Sequence, residues 1–411
     1  MMITVENAHR IIREAFGPLS HEYLPLSELL GRVLAEDVAA PFPLPRFTNA
    51  AMDGFALCRE DIGNASQDNP VKLKVITEVA AGAMPEKVVV PGTCAQIMTG
   101  APLPEGADTV VAFEQTSGFG TEEVSFFAVP KKGANIRYAG EEVSQDSPLL
   151  QKGVRVGPGE IAVLATLGVG GALAGRRPRV ALVTVGNELR LPGKPLDGPA
   201  IYNSNRFMMQ ALCRAWGIEP VALLHAPDDR DSLRNTLAEA FSLCDMLITA
   251  GGISTGEYDY VQELLHEAGV TALFWTVAQK PGKPLYFGVT GDGRSVFALP
   301  GNPVSAMTCF LEYVVPSLLL LQGCAGPEKL TAVLAEPFPA DRKRHRFLPG
   351  TIWQENGRLY CRVSPKVESH MITALACANG IIETGPSPDR LPAGAQVTCT
   401  LFPWHGIPGA G

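Results

Sequence analysis

No Cys-x-x-Cys pair and no His-x-x-His or His-x-x-x-His pair occurs in the 411 residues. The nine cysteines stand singly at 58, 94, 213, 244, 309, 324, 361, 377 and 399. An odd, scattered set argues against a zinc site and a disulfide framework, and for a reducing, cytoplasmic setting. An excess of positive charge is also missing. Lys+Arg 34 against Asp+Glu 42 leaves a net charge of −8, which disfavours nucleic acid or an anionic membrane as partner. The opening Met1-Met-Ile-Thr-Val-Glu6 has neither the cationic nor the apolar part of a signal segment. The most apolar stretch, Pro303 to Leu321, is interrupted by Glu312 and Pro316 and reads as a buried helix instead of a membrane span.

What is present is length and turn residues. A chain of 411 residues exceeds one core, so two to four domains are expected, and 42 Gly with 34 Pro suit many short strands and turns. Helical spacing over 3–16 places Val5, Ala8, Ile11, Ile12 and Phe16 on one face. A second helix is expected from Ser27 to Ala35. Three prolines at 41, 43 and 45 then forbid helix and sheet interior and mark a linker. Residues 51–139 read as a small β domain, with alternating runs such as Val71–Ile76 and Val124–Val129. A helix near Pro158–Leu167 returns the chain to its N-terminal segment.

Residues 178–325 alternate strand and helix. Strands are expected at 179–186, 221–225, 246–249, 272–277 and 296–299. Helices are expected at 204–216 (with a capping serine), 229–243, 258–268 and 303–321. This pattern predicts an α/β domain with a mostly parallel sheet and helices on both faces, with ligands at the carboxyl ends of the strands. Residues 326–411 read as a second small β domain, a barrel. The expected division is 1–46 with 140–177 as a discontinuous N-terminal linker domain, 47–139 as an inserted β domain, 178–325 as the α/β domain, and 326–411 as the barrel.

The strand-end loops carry the chemistry. Asp245-Met-Leu-Ile-Thr-Ala-Gly-Gly-Ile-Ser-Thr-Gly-Glu-Tyr-Asp259 is an apolar run ending in two glycines, then a Ser/Thr/Gly loop and a carboxylate that opens a helix. Glycine lets backbone N–H groups approach an anion closely. A plain strand-to-helix connection with a Ser/Thr cap is the structural alternative. Gly186-Asn-Glu-Leu189, Pro227-Asp-Asp229 and Leu299-Pro-Gly-Asn-Pro-Val-Ser305 end three further strands, and Asn302 can cap the last helix. Together they point to a shared cleft. Lys280-Pro-Gly-Lys-Pro284 sets two ammonium groups on a turn, which suits a doubly charged oxyanion or a solvated surface turn. Glu188, Asp228 and Asp259 suit Mg²⁺, although Asp228 has an ordinary helix cap as its alternative reading. Arg342-Lys-Arg-His-Arg346 reads as a solvated loop or turn, with an anion contact as the alternative.

Eight stretches in register resemble the molybdopterin molybdenumtransferase family, the MoeA type, whose animal counterpart is the C-terminal part of gephyrin. They are Asn49-Ala-Ala-Met-Asp-Gly-Phe-Ala56, Ile97-Met-Thr-Gly-Ala-Pro102, Gly186-Asn-Glu-Leu189, Ile201-Tyr-Asn-Ser-Asn205, Ala250-Gly-Gly-Ile-Ser-Thr-Gly256, Lys280-Pro-Gly-Lys-Pro284, Leu299-Pro-Gly-Asn-Pro-Val-Ser-Ala306 and Ser369-His-Met371. The resemblance implies a Mg²⁺-dependent transferase and elongated homodimer that inserts molybdenum from molybdate into adenylylated molybdopterin and releases AMP. It implies that the site lies between the α/β domain of one subunit and the small β domain, around Asp53 and Thr99, of the other. On that pattern Gly251, Gly252 and Ser254 hold the nucleotide phosphate, and Asp259, with Asp228, places the metal. Lys280 and Lys283 with Ser369 hold molybdate, and Glu188, Ser305, Asp53 and Thr99 complete the site. Four positions depart from the family pattern: Asn187 and Asn203 replace aspartates, Glu142 replaces another, and Pro349 stands where an arginine is usual, with Arg346 or Arg344 as the candidate substitute from a different backbone position. These departures motivate the alternative of a catalytically weakened paralogue that binds molybdopterin or acts as a scaffold.

Overall fold

The computed structural model describes residues 2–253, 260–387 and 389–409. Two compact units emerge. One comprises Met1–Ala35, Gly153–Ile161 and Gly171–Gly411, the other Glu36–Lys152 and Ala162–Gly170.

The first unit contains a six-stranded sheet in the order Ala222–Ala226, Val180–Val185, Met246–Ala250, Ser295–Leu299, Pro284–Thr290, Val270–Thr276. The first four strands run parallel, Pro284–Thr290 runs antiparallel to them, and the edge strand Val270–Thr276 pairs antiparallel with Pro284–Thr290. Val180-Ala-Leu-Val-Thr-Val185 is buried at every residue, as a central parallel strand requires. Its side chains alternate between two cores. Val180 and Leu182 join Met209 and Leu212 of the helix Ser204–Ala215 and Phe310 and Val314 of the helix Pro303–Leu321. Ala181, Val183 and Val185 join Leu233 and Leu237 of Arg230–Leu243 and Val261 and Leu264 of Tyr260–Glu267. The N-terminal helix Val5–Ala15, capped by Thr4, adds Val5, Ala8 and Ile12 to the first core.

Several local expectations are corrected. The strand Pro284–Thr290 was not expected: it opens on proline and contains Gly288, where a Cβ would lie 2.8 Å from the Thr271 carbonyl oxygen, so its alternation is blurred. The helix expected over Ser27–Ala35 is only a 3₁₀ turn, Leu26–Glu28, and Gly31 turns the chain in the left-handed region (φ 73°). The cap of Ser204–Ala215 is Asn203, not a serine. Pro303–Leu321 is long and apolar enough to cross a membrane, but 89% of the segment is buried inside the protein. It contains a π-helical stretch, Phe310–Val314.

Strands Leu330–Leu334, His345–Glu355, Arg358–Val363, Gly380–Thr384 and Gln396–Leu401 close into a barrel through the pairing of His345–Glu355 with Gly380–Thr384. Ala332, Leu334, Ile352, Ile382 and Val397 fill it. The short strand Gln279–Lys280 pairs in parallel with His345 and Arg346 of this barrel. The basic run is only in part a solvated turn: Arg342 and Lys343 are exposed on a bend, while its end is not. Arg346 is buried, with its guanidinium 4.7 Å above the Phe338 ring, because strand pairing carries the end of the run into the barrel wall.

The second unit holds a five-stranded sheet in the order Thr109–Ala112, Gly54–Leu57, Thr93–Ile97, Val71–Val79, Glu123–Phe126. Gly54 is required there, since a Cβ would sit 2.0 Å from the Val111 carbonyl oxygen. Glu142 is exposed, and its backbone N–H donates to Leu44 O at 3.0 Å.

Candidate functional site

Four parallel strands end at one cleft of about 640 Å³ in the first unit. Glu188, Asp228, Gly251, Gly252, Lys280, Lys283, Ser305 and Ser369 all line it. Ser254 and Asp259 lie outside the described residues.

The glycine turn is dictated by close approach. Gly251 and Gly252 have φ of 92° and 67°. A Cβ on Gly251 would lie 2.4 Å from the Val185 carbonyl oxygen, and one on Gly252 would lie 2.7 Å from Val261 Cγ2. Only glycine fits between these neighbours. Gly251 N donates to Leu299 O at 3.2 Å, which ties this strand end to the next.

The loops after the first two strands are clasped to each other. Asn187 N donates to Asp228 Oδ2 at 3.0 Å, and Asp228 N donates to Asn187 Oδ1 at 3.1 Å. Asp228 is not the helix cap. That role falls to Asp229, whose Oδ1 accepts from Asp231 N at 3.2 Å and Ser232 N at 3.1 Å. Hydrogen bonds from Ser232 and Asp231 hold the Asp229 carboxyl below its ordinary pKa. The Glu188 carboxylate folds back over Gly186, where a Cβ would lie 2.6 Å from Oε2.

Asn203 lines the cleft but is only 3% exposed. Its Oδ1 accepts from Arg206 N at 3.1 Å and its Nδ2 donates to Thr184 Oγ1 at 2.7 Å. An aspartate there would keep the cap and lose the donor. Asn302 occupies the N-cap position of the last helix, but its side chain does not cap it; Nδ2 donates to Ser369 Oγ at 3.3 Å. Ser305 is buried in that helix's first turn.

On the barrel side, the lysine turn has Gly282 at φ 84°, where a Cβ would lie 2.5 Å from Cys309 Sγ. Lys283 O accepts from Val277 N at 3.0 Å, and Lys280 Nζ lies 3.6 Å from Glu368 Oε1. Arg344, one of the two arginines of the basic run that the sequence offers in place of the arginine missing at Pro349, also lines the cleft and is paired with Asp341 Oδ2 at 2.7 Å. Pro349 is buried in the barrel wall opposite Ile381 and is absent from the cleft lining. The cleft guanidinium is that of Arg344.

Asp53 and Thr99 belong to the second unit. Asp53 Oδ1 accepts from both Thr99 N and Thr99 Oγ1 at 2.7 Å. The hydroxyl and the amide hold this exposed carboxyl below its ordinary pKa.

Among the described residues, no three His, Cys, Asp or Glu side chains cluster as a metal site. The donor set still fits Mg²⁺, which is commonly held by one or two carboxylates with phosphate oxygens and water. Glu188 and Asp228 supply two carboxylates on neighbouring strand-end loops.

Residues 3–168 match the MoeA N-terminal region (domain I and II), 181–319 a probable molybdopterin binding domain, and 331–402 the MoeA C-terminal region (domain IV). A molybdopterin molybdenumtransferase of Bacillus subtilis is 35% identical over 366 residues, covering 88% of this chain and 85% of the relative. The chain belongs to the molybdopterin molybdenumtransferase family. The Haemophilus influenzae member is 32% identical over 98% of this chain and 99% of its own. The crystal structure of a molybdopterin biosynthesis MoeA protein from Pyrococcus horikoshii matches with a TM-score of 0.82 and 32% identity, covering 98% of this chain and 99% of that one.

Proposed function

We propose that this protein acts in molybdenum cofactor biosynthesis, inserting molybdenum from molybdate into adenylylated molybdopterin with release of AMP in a Mg²⁺-dependent reaction. One observation carries this reading: a single cleft gathers a glycine turn, two carboxylates and the paired lysines. The reaction needs a nucleotide phosphate bound next to an oxyanion, and these groups divide that labour.

Backbone amides around Gly251 and Gly252 receive the nucleotide phosphate, with Ser254 assigned to the same role from the family pattern. Lys280 and Lys283 hold molybdate with Ser369, which Asn302 orients by its hydrogen bond. Arg344 adds a positive charge to that wall. Asp228, Glu188 and Asp259 are the groups proposed to hold Mg²⁺, which supplies charge neutralisation at the phosphoanhydride when bound. The lysines stabilise the charge that develops as a water oxygen bonds to the phosphoanhydride phosphorus, the bridging P–O bond opens, and AMP departs with the other phosphate left on molybdopterin. Ser305, Asp53 and Thr99 are assigned to substrate contacts from the family pattern, the last two in a homodimer. A cytoplasmic location, and the four-part division at 46, 139, 177 and 325, belong to the same proposal.

The paralogue alternative drew on Asn187, Asn203 and Pro349. Asn203 is a buried cap, Asn187 joins two loops, and Pro349 is away from the cleft lining, so none of the three argues against turnover.

Purified protein given adenylylated molybdopterin, molybdate and Mg²⁺ is expected to release AMP. Lys280→Ala or Lys283→Ala is expected to raise the molybdate requirement more than the adenylate requirement, and Asp259→Ala to stop turnover without loss of fold. Tight binding of the adenylate with no AMP release would overturn the enzyme reading in favour of the binding one.

A further inference from the structure

Beneath the lysine turn lies a polar network that the reaction as proposed does not use. Gln279 is fully buried, yet it lines the cleft and immediately precedes Lys280. Its amide is held from three directions. Nε2 donates to Gly282 O at 3.0 Å and approaches Cys309 Sγ at 3.4 Å, and Oε1 accepts from the hydroxyl of Tyr313. The side chain thus spans the inside of the Lys280–Lys283 turn and grips the carbonyl of the residue before Lys283.

Tyr313 is itself held in place. It is fully buried in the π-helical stretch, and the His9 ring stacks on it with centroids 5.1 Å apart. His9 Nε2 contacts Glu312 Oε1 at 2.7 Å, Lys329 Nζ contacts Glu312 Oε1 at 2.8 Å and Glu383 Oε2 at 2.7 Å, and His345 Nε2 contacts Glu383 Oε1 at 2.9 Å. His345 lies opposite Gln279 in the short parallel pairing. The contacts therefore run from Gln279 through Tyr313, the N-terminal helix and the barrel, and return to Gln279.

We propose that Gln279, oriented by the Tyr313 hydroxyl, is a positioning residue that fixes the backbone turn carrying Lys280 and Lys283, keeps both stems rooted within reach of one spot, and so sets the affinity of the cleft for a tetrahedral dianion. The inference rests on the reading that the lysine turn binds molybdate. Two point charges bind a dianion well only while both lie within reach of one spot, and each lysine stem is flexible. The fixed part is the backbone, and a buried amide held in this way is what fixes it, because any rotation leaves a buried donor or acceptor unpaired. The turn that carries both lysine stems is thus set from beneath. Gln279 and Tyr313 do not need to touch the substrate.

The test uses full-length Gln279→Met, which keeps the volume and removes all three contacts, and Tyr313→Phe, which removes one. Molybdate binding is followed by calorimetry, AMP release at saturating molybdate by chromatography, and fold by thermal melting. Gln279→Met is expected to weaken molybdate binding at least tenfold while AMP release at saturating molybdate stays within about twofold of wild type. Tyr313→Phe should weaken binding in the same direction by a smaller factor. The double variant should be no weaker than Gln279→Met, because Tyr313 acts through Gln279. Unchanged molybdate affinity in both single variants, with melting lowered, would overturn the inference and leave the network as core packing. So would additive losses in the double variant. If wild type binds molybdate but releases no AMP, the enzyme reading fails, and the calorimetry of the variants still decides this one. If Gln279→Met does not fold, Tyr313→Phe alone decides between the two outcomes.

Discussion

Asn187 and Asp228 exchange two hydrogen bonds, each backbone N–H donating to the other's side chain, at 3.0 and 3.1 Å. The exchange locks together the loops that follow two adjacent parallel strands, and it occupies one oxygen of a carboxylate proposed to hold Mg²⁺. Asn187→Ala should free the Asp228 loop. The expected result is a rise of several-fold in the Mg²⁺ concentration needed for half-maximal AMP release, with melting little altered. An unchanged Mg²⁺ requirement would remove Asp228 from the proposed metal set.

Gly252→Ala tests the phosphate turn. At φ 67°, with a Cβ 2.7 Å from Val261 Cγ2, the alanine costs about 1–3 kcal/mol in backbone strain before any packing adjustment. Denaturant titration should show that loss, and AMP binding should weaken in parallel. Full stability with normal AMP affinity would mean that the turn relaxes freely and does not shape the site.

Asn203 makes a prediction about direction. Asn203→Ala removes the cap and should cost about 1 kcal/mol of stability by denaturant titration. Asn203→Asp restores the residue usual in the family and loses the donor to Thr184. Because this side chain is a cap with 3% exposure, the aspartate is expected to lower stability and leave AMP release no faster. A clear acceleration would show that charge at this position matters to the chemistry.

Acid stability should depend on Glu383. Burial alone raises its pKa, but the His345 hydrogen bond and Lys329 prevail and bring it down from 4.5 to about 2. A carboxyl depressed in the folded state contributes stability above its unfolded pKa and loses that contribution as pH falls through the folded one. Denaturation midpoints should therefore drop as pH falls from about 4.5 toward 2, and Glu383→Gln should flatten the slope in that window. An unchanged slope in the variant would assign the acid loss to other carboxyls.

Much of the architecture was readable in the sequence, because period and punctuation are local. The parallel strands and their helices announce themselves by buried runs ending in glycine, proline or aspartate. The cleft was legible for the same reason, since four such ends on one sheet converge. What escaped reading depends on pairing between distant segments. The sequence offers Arg344 as a substitute for the arginine missing at Pro349, but the pairing of its run with Gln279–Lys280 is a contact that no spacing predicts. Pro284–Thr290 was missed because its glycine serves a neighbouring strand. Asn203 looked like a charge substitution until its burial was seen. Asn302 looked like a cap, and its side chain turned out to serve Ser369.

The two-residue pairing of Gln279–Lys280 with His345–Arg346 has a consequence for engineering. The barrel cannot be treated as a detachable module. Cutting the chain after residue 326 would strip the lysine turn of its partner strand and remove Arg344 and Ser369, while leaving the glycine turn and both cleft carboxylates in place. Such a fragment would retain the groups proposed for the nucleotide and lose much of the wall proposed for the oxyanion. A chimera that exchanges barrels between relatives would replace Arg344, Ser369 and the partner strand of the lysine turn while keeping both lysines.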